Sequence, residues 1–218
     1  MREEIIGNCR LILGDCRDIL PTLGPVDAVV CDPPYPNPTG LFVDAIEAAR
    51  GIIRLAIASE MIFFWSELDI PDAPLPLVAK HIWHRTNVNG KIYEPALHWN
   101  SDGRKRRSDV MAHAAIFDGA GPGCNEYEGH PTQKPVAVMR WLLSKVQKGR
   151  VLDPFMGSGS TGVASVQMQR PFVGCEIHEP YFDIACRRID DAYRQRDLFR
   201  DEPKPVKPTQ PSLLAGCV

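Results

Sequence analysis

Two hydrophobic periodicities divide this chain into predicted strands and helices. Short apolar, β-branched runs predict the strands Cys9–Cys16 (closed by a Gly-Asp turn), Val26–Cys31, Met61–Trp65, Leu77–Trp83, Tyr93–Trp99, Gly149–Asp153 and Phe172–Glu176. Apolar residues at helical spacing predict the helices Leu41–Ile53, Lys134–Val146, Thr161–Met168 and Tyr181–Tyr193, with a short helix or turn at Arg17–Leu23. Strands that alternate with helices indicate an α/β protein.

Two segments show neither periodicity. Residues 100–129 are charged and rich in glycine, which predicts a surface loop. The segment 201–218 carries four prolines and predicts a disordered tail. A length of 218 residues therefore fits one domain over residues 1–200 with a short appendage.

Composition narrows the class of protein. With 44% hydrophobic and 24% charged residues, the chain is typical of a globular protein. It shows no basic leader before an apolar segment and no apolar run that could span a bilayer, so we expect a cytoplasmic protein without a membrane partner. Seven scattered cysteines favour reduced thiols over a disulfide framework. The pairs His81/His84 and Cys175/His178 are weak candidates for a metal site, and we predict none.

The stretch Asp32-Pro33-Pro34-Tyr35 directly follows a predicted buried strand. Ligands of open α/β sheets bind at the carboxyl ends of strands. The two prolines lack N–H groups and leave carbonyl acceptors beside an acid and an aromatic ring, which suits a flat ligand with an amino group. Taken alone, the tetrapeptide is equally typical of an Asp-Pro turn with a packed tyrosine.

A second candidate site lies in a predicted unit of strand, glycine-rich turn, helix and strand. The turn of this unit follows Asp153, where the first strand ends. Gly157, Gly159 and Gly162 match the dinucleotide-binding pattern, and Glu176 stands where an acid would accept hydrogen bonds from ribose hydroxyls. However, the stretch Asp153-Pro154-Phe155-Met156 stands before the first glycine, and Asp153 would repel a pyrophosphate and attract a cation. A nicotinamide-dependent oxidoreductase is therefore the weaker alternative.

Taken together, these stretches resemble motifs of the S-adenosylmethionine-dependent DNA amino-methyltransferases, which methylate adenine N6 or cytosine N4. Asp32-Pro33-Pro34-Tyr35 resembles motif IV, the segment from Asp153 to Thr161 motif I, Gly174–Ile177 motif II and His130–Pro135 motif X. Their order is similar to the β class of the family. The resemblance implies a Rossmann-like methyltransferase fold, a mixed and mostly parallel sheet with helices on both faces, and a target-recognition segment at about residues 85–129.

The resemblance also implies roles for individual residues. The catalytic residues would be Asp32, Pro33, Pro34 and Tyr35. The residues that bind S-adenosylmethionine would be Asp15, Cys16, His130, Thr132, Lys134, Pro135, Asp153, Pro154, Phe155, Gly157, Gly159, Ser160, Thr161 and Glu176. Within this set Thr132, Lys134 and Asp153 would surround the methionine end, and Asp15 would face the adenine ring.

The implied substrate is double-stranded DNA, with adenine N6 favoured over cytosine N4 because the motif begins with Asp32. A basic run, Arg104, Lys105, Arg106 and Arg107, is the candidate DNA contact, although a solvated loop would have the same composition. A solitary enzyme and a member of a restriction–modification system fit equally well, and β-class relatives suggest a homodimer. A methyltransferase that acts on RNA or on a protein amide would use similar acceptors, and a DNA-binding module without activity is the least favoured hypothesis.

Overall fold

The computed structural model describes residues 2–34, 43–55, 57–65, 70–88, 93–116 and 127–198. Nine strands are present in these ranges: β1 (Arg2–Ile6), β2 (Cys9–Leu13), β3 (Ala28–Cys31), β4 (Glu60–Phe64), β5 (Leu77–Arg85), β6 (Tyr93–Asn100), β7 (Val110–His113), β8 (Val151–Asp153) and β9 (Phe172–Glu176). Five α-helices accompany them: α1 (Cys16–Ile19), α2 (Val43–Leu55), α3 (Val136–Leu143), α4 (Ser160–Gln167) and α5 (Glu179–Leu198). The predicted α/β class is thus confirmed.

All nine strands belong to one mixed sheet in the order β1-β2-β9-β8-β3-β4-β6-β5-β7. The five central strands from β2 to β4 run parallel, while β1 and β6 are antiparallel to their neighbours. The unit β3-α2-β4 extends the sheet in one direction, and the unit β8-α4-β9 extends it in the other. The carboxyl ends of β3 and β8 therefore flank the switch point where open α/β sheets bind ligands.

Helices cover both faces of the sheet. Val30 of β3 packs on one face with side chains of α3, α4 and α5, whereas Val29 and Cys31 pack on the other face with α1 and α2. Because successive residues of a strand point to opposite faces, a strand buried on both sides is apolar throughout. This explains why Ala28–Cys31 in β3 and Met61–Phe64 in β4 are uninterrupted apolar runs.

The two strands that the sequence did not predict are edge strands. β1 carries charged residues at three of its five positions, and β7 lies within the 100–129 segment for which a loop was expected. β7 pairs parallel to β5, and Val110 is 61% exposed. Edge strands bury little apolar surface, so their sequences lack the pattern that identifies central strands.

Helix α3 begins later and ends earlier than the predicted Lys134–Val146. Pro135 is the extended N-cap residue, with φ −60° and ψ 136°, so it lies before the helix and not inside it as the predicted range implies. The residue before a proline is disfavoured in helical conformation, which keeps Lys134 outside the helix.

Helix α5 is longer than predicted and rich in charged residues along its outer side. In the part of the chain that the structure describes, no helix combines the length and apolarity needed to cross a membrane. The predicted tail, 201–218, lies outside the described residues.

His81 and His84, which were considered as metal ligands, have different neighbours. Buried His81 approaches Nδ1 of His98 at 3.3 Å, and His98 contacts the Glu60 carboxylate at 3.0 Å, whereas the His84 ring packs 5.0 Å from that of Tyr93. Cys175 is buried and His178 exposed. Among the described residues, no three His, Cys, Asp or Glu side chains converge as a metal site requires.

Arg170 stabilises the connection between α3 and β8, and its replacement should weaken the fold. Its buried guanidinium donates to the carbonyl oxygens of Leu143, Gln147 and Gly149 at 2.6–3.1 Å. We expect Arg170→Met to lower the free energy of unfolding by about 3 kcal/mol, because three carbonyls lose a charged donor. Urea denaturation measures the change. Arg194→Met, which breaks an exposed pair with Asp190, should cost less than about 0.5 kcal/mol. Equal losses of stability in the two variants would contradict the stabilising role of Arg170.

Candidate active site

Four acids stand side by side at the carboxyl edge of the parallel strands. Asp15 follows β2, Glu176 ends β9, Asp153 ends β8 and Asp32 follows β3. With neighbouring strands about 4.8 Å apart, this row extends over roughly 14 Å. The structure thus brings together the acids that the sequence predicted for the cofactor and for catalysis.

The Asp153 side chain is almost fully buried at this edge of the sheet, with only 3% of its surface exposed. Its carboxylate accepts hydrogen bonds from the Phe155 backbone N–H at 3.0 Å and the Thr161 hydroxyl at 2.5 Å. Burial raises the pKa of Asp153 to about 7, and the negative charges of Asp32 and Glu176 act in the same direction. A cation placed beside Asp153 would favour its ionised form.

Glu176 connects the glycine-rich turn to the end of β9. Its carboxylate accepts from the backbone N–H groups of Gly157 at 2.9 Å and His178 at 2.7 Å. Gly157 has φ +52°, and a Cβ there would lie 3.1 Å from Nε2 of His130, so both backbone angle and space favour glycine. The carboxylate can accept further hydrogen bonds, since it has about four lone-pair sites.

Most other residues of the predicted cofactor turn contact α5 or Asp153. The hydroxyl oxygens of Ser158 and Ser160 accept hydrogen bonds from the guanidinium of Arg188 on α5. The Thr161 hydroxyl donates to the Asp153 carboxylate. A Cβ at Gly162 would clash with the Ile189 side chain, so this third glycine of the pattern allows α4 and α5 to pack closely.

Three predicted cofactor residues, Cys16, Pro154 and Phe155, are buried or half-buried. Cys16 packs into the core beside α2, and burial raises the pKa of its thiol to about 11. Pro154 is buried, and Phe155 packs against the same core as Cys16. Asp15 is the N-cap of α1 and is held by Arg17, which lowers the pKa of the Asp15 carboxyl.

The segment His130–Pro135 crosses in front of the glycine-rich turn. The His130 ring lies 4.3 Å from that of Tyr181, and burial lowers its pKa to about 4, so the imidazole is neutral. Nδ1 of His130 accepts from the backbone N–H of Thr132, whose side chain is exposed.

Lys134, predicted to bind the cofactor, lies beside the catalytic candidate Asp32. Its ammonium donates to the Asp32 carboxylate and lies 3.4 Å from Glu94 Oε2. The rings of Phe64 and Trp83 approach it to 5.1 and 5.9 Å. This contact joins the predicted motif X directly to the predicted motif IV.

Pro33 is buried and Pro34 half-buried directly after Asp32, as a rigid turn beyond β3 requires. Tyr35, the fourth predicted catalytic residue, lies outside the described residues.

Comparison with known proteins assigns the family. The DNA methylase family of N6 and N4 methyltransferases matches residues 53–187, which is more than half of the chain. The chain belongs to this DNA methylase family. The predicted resemblance, which rested on four short motifs, is thereby confirmed.

Individual relatives agree with this assignment. The DNA adenine methyltransferase YhdJ of Escherichia coli K12 is 46% identical over 70 residues, which cover 31% of this chain and 24% of that protein. The M1.HpyAVI–SAM complex superimposes with a TM-score of 0.63 and 23% identity over 84% of this chain and 99% of that chain. The cytosine-N4-specific PvuII DNA methyltransferase gives a TM-score of 0.64 and 12% identity over 87% and 93%. The two solved structures confirm the Rossmann-like methyltransferase fold.

The matched stretches of the curated relatives are short. They span 24% of YhdJ and 29% of a second relative, so the chain aligns with less than a third of either protein.

The basic run lies apart from the row of acids. It follows β6, whose last residue Asn100 pairs with Glu60 at the amino end of β4, so the run starts at the opposite edge of the sheet. Within it, Arg106 pairs with Asp102, and Lys105 donates to the Leu77 carbonyl. Its role in DNA binding stays a prediction.

Glu94 and Arg85 are site residues that sequence reasoning missed. Glu94 lies in β6 opposite Trp83 of β5, and Arg85 Nη1 approaches its Oε1 at 3.2 Å. One signal was available, because Glu94 is the only acid in the predicted strand Tyr93–Trp99. Nothing in that segment indicated its partners.

Asp153→Asn should stabilise the protein more at pH 8 than at pH 5. Because the pKa of Asp153 in the folded protein is about 7 instead of 3.8, the protonated carboxyl contributes stability that is complete below pH 3.8 and is lost as the pH rises from there to 7, and much of this loss falls between pH 5 and pH 8. The asparagine carries no charge and still has an oxygen for Phe155 N–H. We expect the unfolding temperature at pH 8 to rise by about 2–4 °C for each kcal/mol that ionisation costs.

Thermal unfolding at both pH values measures this difference. Asp191→Asn, at an exposed position of α5, serves as the control and should change neither value. The same stabilisation by Asp153→Asn at pH 5 and pH 8 would show that ionisation of Asp153 is not its cause.

Proposed function

We propose that this protein transfers a methyl group from S-adenosylmethionine to the exocyclic N6 of adenine in double-stranded DNA. The observation that carries the proposal is the placement of Asp32-Pro33-Pro34 beside Asp153 at the switch point of a DNA methylase fold. One strand end supplies acceptors for an amine, and its neighbour supplies an acid for a cationic cofactor.

The chemistry of the row of acids fits S-adenosylmethionine. Asp153 would receive the ammonium of the methionine part, since a buried carboxylate of raised pKa gains most from a cation. Glu176 would accept from the ribose hydroxyls, and Gly157 leaves the backbone open to close approach. A dinucleotide pyrophosphate would be repelled by the same carboxylates. When bound, the cofactor supplies a methyl group on a positively charged sulfur.

Asp32 and Pro33 would prepare the amine for attack. The lone pair of an exocyclic amine is delocalised into the base, so the nitrogen is a weak nucleophile. The Asp32 carboxylate and the Pro33 carbonyl oxygen would accept its two N–H hydrogens and draw the nitrogen toward tetrahedral geometry, which frees the lone pair. The surplus proton would leave through Asp32 or water.

The target base has to leave the duplex before these acceptors can reach it. Flipping costs a few kcal/mol, and stacking on an aromatic side chain returns about 1–3 kcal/mol. Tyr35 is our candidate for that stack.

Adenine is favoured because the motif begins with Asp32, and cytosine N4 is the alternative. We also propose a cytoplasmic location and a homodimer.

Asp32→Asn should abolish methyl transfer while leaving cofactor binding within a few-fold. The asparagine keeps the size of the side chain but loses the negative charge that strengthens acceptance, so we expect a rate at least about 100-fold lower. Transfer of tritiated methyl to unmethylated genomic DNA measures the rate, and calorimetry measures cofactor affinity.

Nucleoside mass spectrometry of the digested product identifies the base. N6-methyladenine supports the proposal, and N4-methylcytosine replaces it with the alternative. Asp191→Asn should retain full activity. Unlabelled DNA with intact cofactor binding would refute DNA as the substrate, and full activity in Asp32→Asn would refute its catalytic role.

Replacing Arg104–Arg107 with alanines tests the proposed DNA contact. If these side chains contact phosphates, affinity should fall and the slope of log K against log salt should lose about 0.9 for each contact removed. Fluorescence anisotropy over a salt series measures both quantities, with Arg194→Ala as the control. An unchanged slope would exclude the run from the DNA interface.

A further inference from the structure

Four ionisable side chains of alternating sign lead from the end of β5 to Asp32. Arg85 Nη1 lies 3.2 Å from Glu94 Oε1, and Glu94 Oε2 lies 3.4 Å from Lys134 Nζ. Lys134 then donates to Asp32 Oδ2. The four side chains are only 9–20% exposed, so their charges interact more strongly than surface pairs do.

The Lys134 ammonium depends on both carboxylates. It is largely buried beside the rings of Phe64 and Trp83, and desolvation alone would lower its pKa. Asp32 and Glu94 outweigh this effect and raise the pKa of Lys134 above its ordinary value. The neutral imidazole of His130 adds no opposing charge.

A lysine bound by Asp32 alone would hinder the proposed reaction. The same carboxylate has to accept an N–H of the target amine, and an acceptor that neutralises an ammonium by itself is a weaker base. A second carboxylate divides the ammonium's charge between two acids. Glu94 occupies that position, while Arg85 holds the other oxygen of Glu94 in place.

We propose that Glu94 is a positioning residue for methyl transfer, which shares the Lys134 ammonium with Asp32 and so preserves Asp32 as a strong acceptor. The inference rests on the function proposed above. It assigns to Glu94 no contact with DNA or cofactor, and its effect passes through Lys134.

The first test measures single-turnover methyl transfer with saturating cofactor and DNA. Glu94→Gln should slow the step about tenfold, which is a part of the gain that a positioned acid or base provides, and should leave cofactor affinity within twofold. Glu94→Asp keeps the charge and should recover most of the rate. Glu3→Gln breaks a Glu–Arg pair at the far edge of the sheet and should behave as the wild type.

Wild-type rates in Glu94→Gln would overturn the proposal, as would a Glu94→Asp rate no better than that of Glu94→Gln. A parallel loss of cofactor binding would assign Glu94 a structural role instead.

The second test combines Glu94→Gln with Lys134→Met. Because Glu94 acts through Lys134, adding Glu94→Gln to Lys134→Met should change the rate by less than twofold, whereas independent sites would give multiplied losses. If Glu94→Gln does not fold, Glu94→Ala, which also removes the carboxylate, is compared in the same two backgrounds. A decrease with Lys134 present and none with Met at position 134 supports the proposal, and equal decreases overturn it.

A third measurement separates this inference from the proposed function. The ¹³Cε resonance of Lys134, assigned by its loss in Lys134→Met, reports the pKa of the ammonium without any substrate. Glu94→Gln should lower the pKa of Lys134, since the ammonium loses one of two opposite charges. An unchanged pKa overturns the coupling, whereas absence of methyl transfer by the wild type together with a lowered pKa refutes only the proposed function.

Discussion

Carboxylates that stand side by side at the end of a parallel sheet repel one another, and each is costly to remove from water. In this protein the acids at the ends of β9, β8 and β3 are neighbours, and the site depends on how each one is compensated. Backbone N–H groups hold Glu176, the Thr161 hydroxyl and a backbone N–H hold Asp153, and Lys134 holds Asp32. In the described parts of the chain, the hydrogen-bond donors to Asp153 are neutral, and burial raises its pKa to about 7.

This compensation explains the division of the site into two halves. A cation is missing from the hydrogen-bond partners of Asp153 in the described residues, and a ligand with an ammonium group would supply it. Asp32 already has its cation from Lys134 and is ready to accept neutral N–H donors. Under the proposed function, the cofactor would lie beside the end of β8 and the target amine beside the end of β3.

The sheet and the helices packed on its two faces position these acids and Lys134. The units β3-α2-β4 and β8-α4-β9 diverge from the switch point, and both faces of the central strands are covered by helices. Tight packing behind the glycine-rich turn, such as that of Gly162 against Ile189, holds the turn against α5. Pro135 ends the approach to α3 in extended conformation, which leaves Lys134 outside the helix and within reach of Asp32.

The central strands, the helices between them and the acids at the strand ends could be read from the sequence. Each depends on local patterns: apolar runs that stop at Asp32 or Asp153, and glycines 19 residues or fewer before Glu176. The edge strands β1 and β7 could not, because strands that bury little surface carry no apolar pattern. The partners of Lys134 were equally hidden. Asp32 and Glu94 lie far from it in the chain, and only strand order and register bring three such charges together where burial makes their pairing necessary.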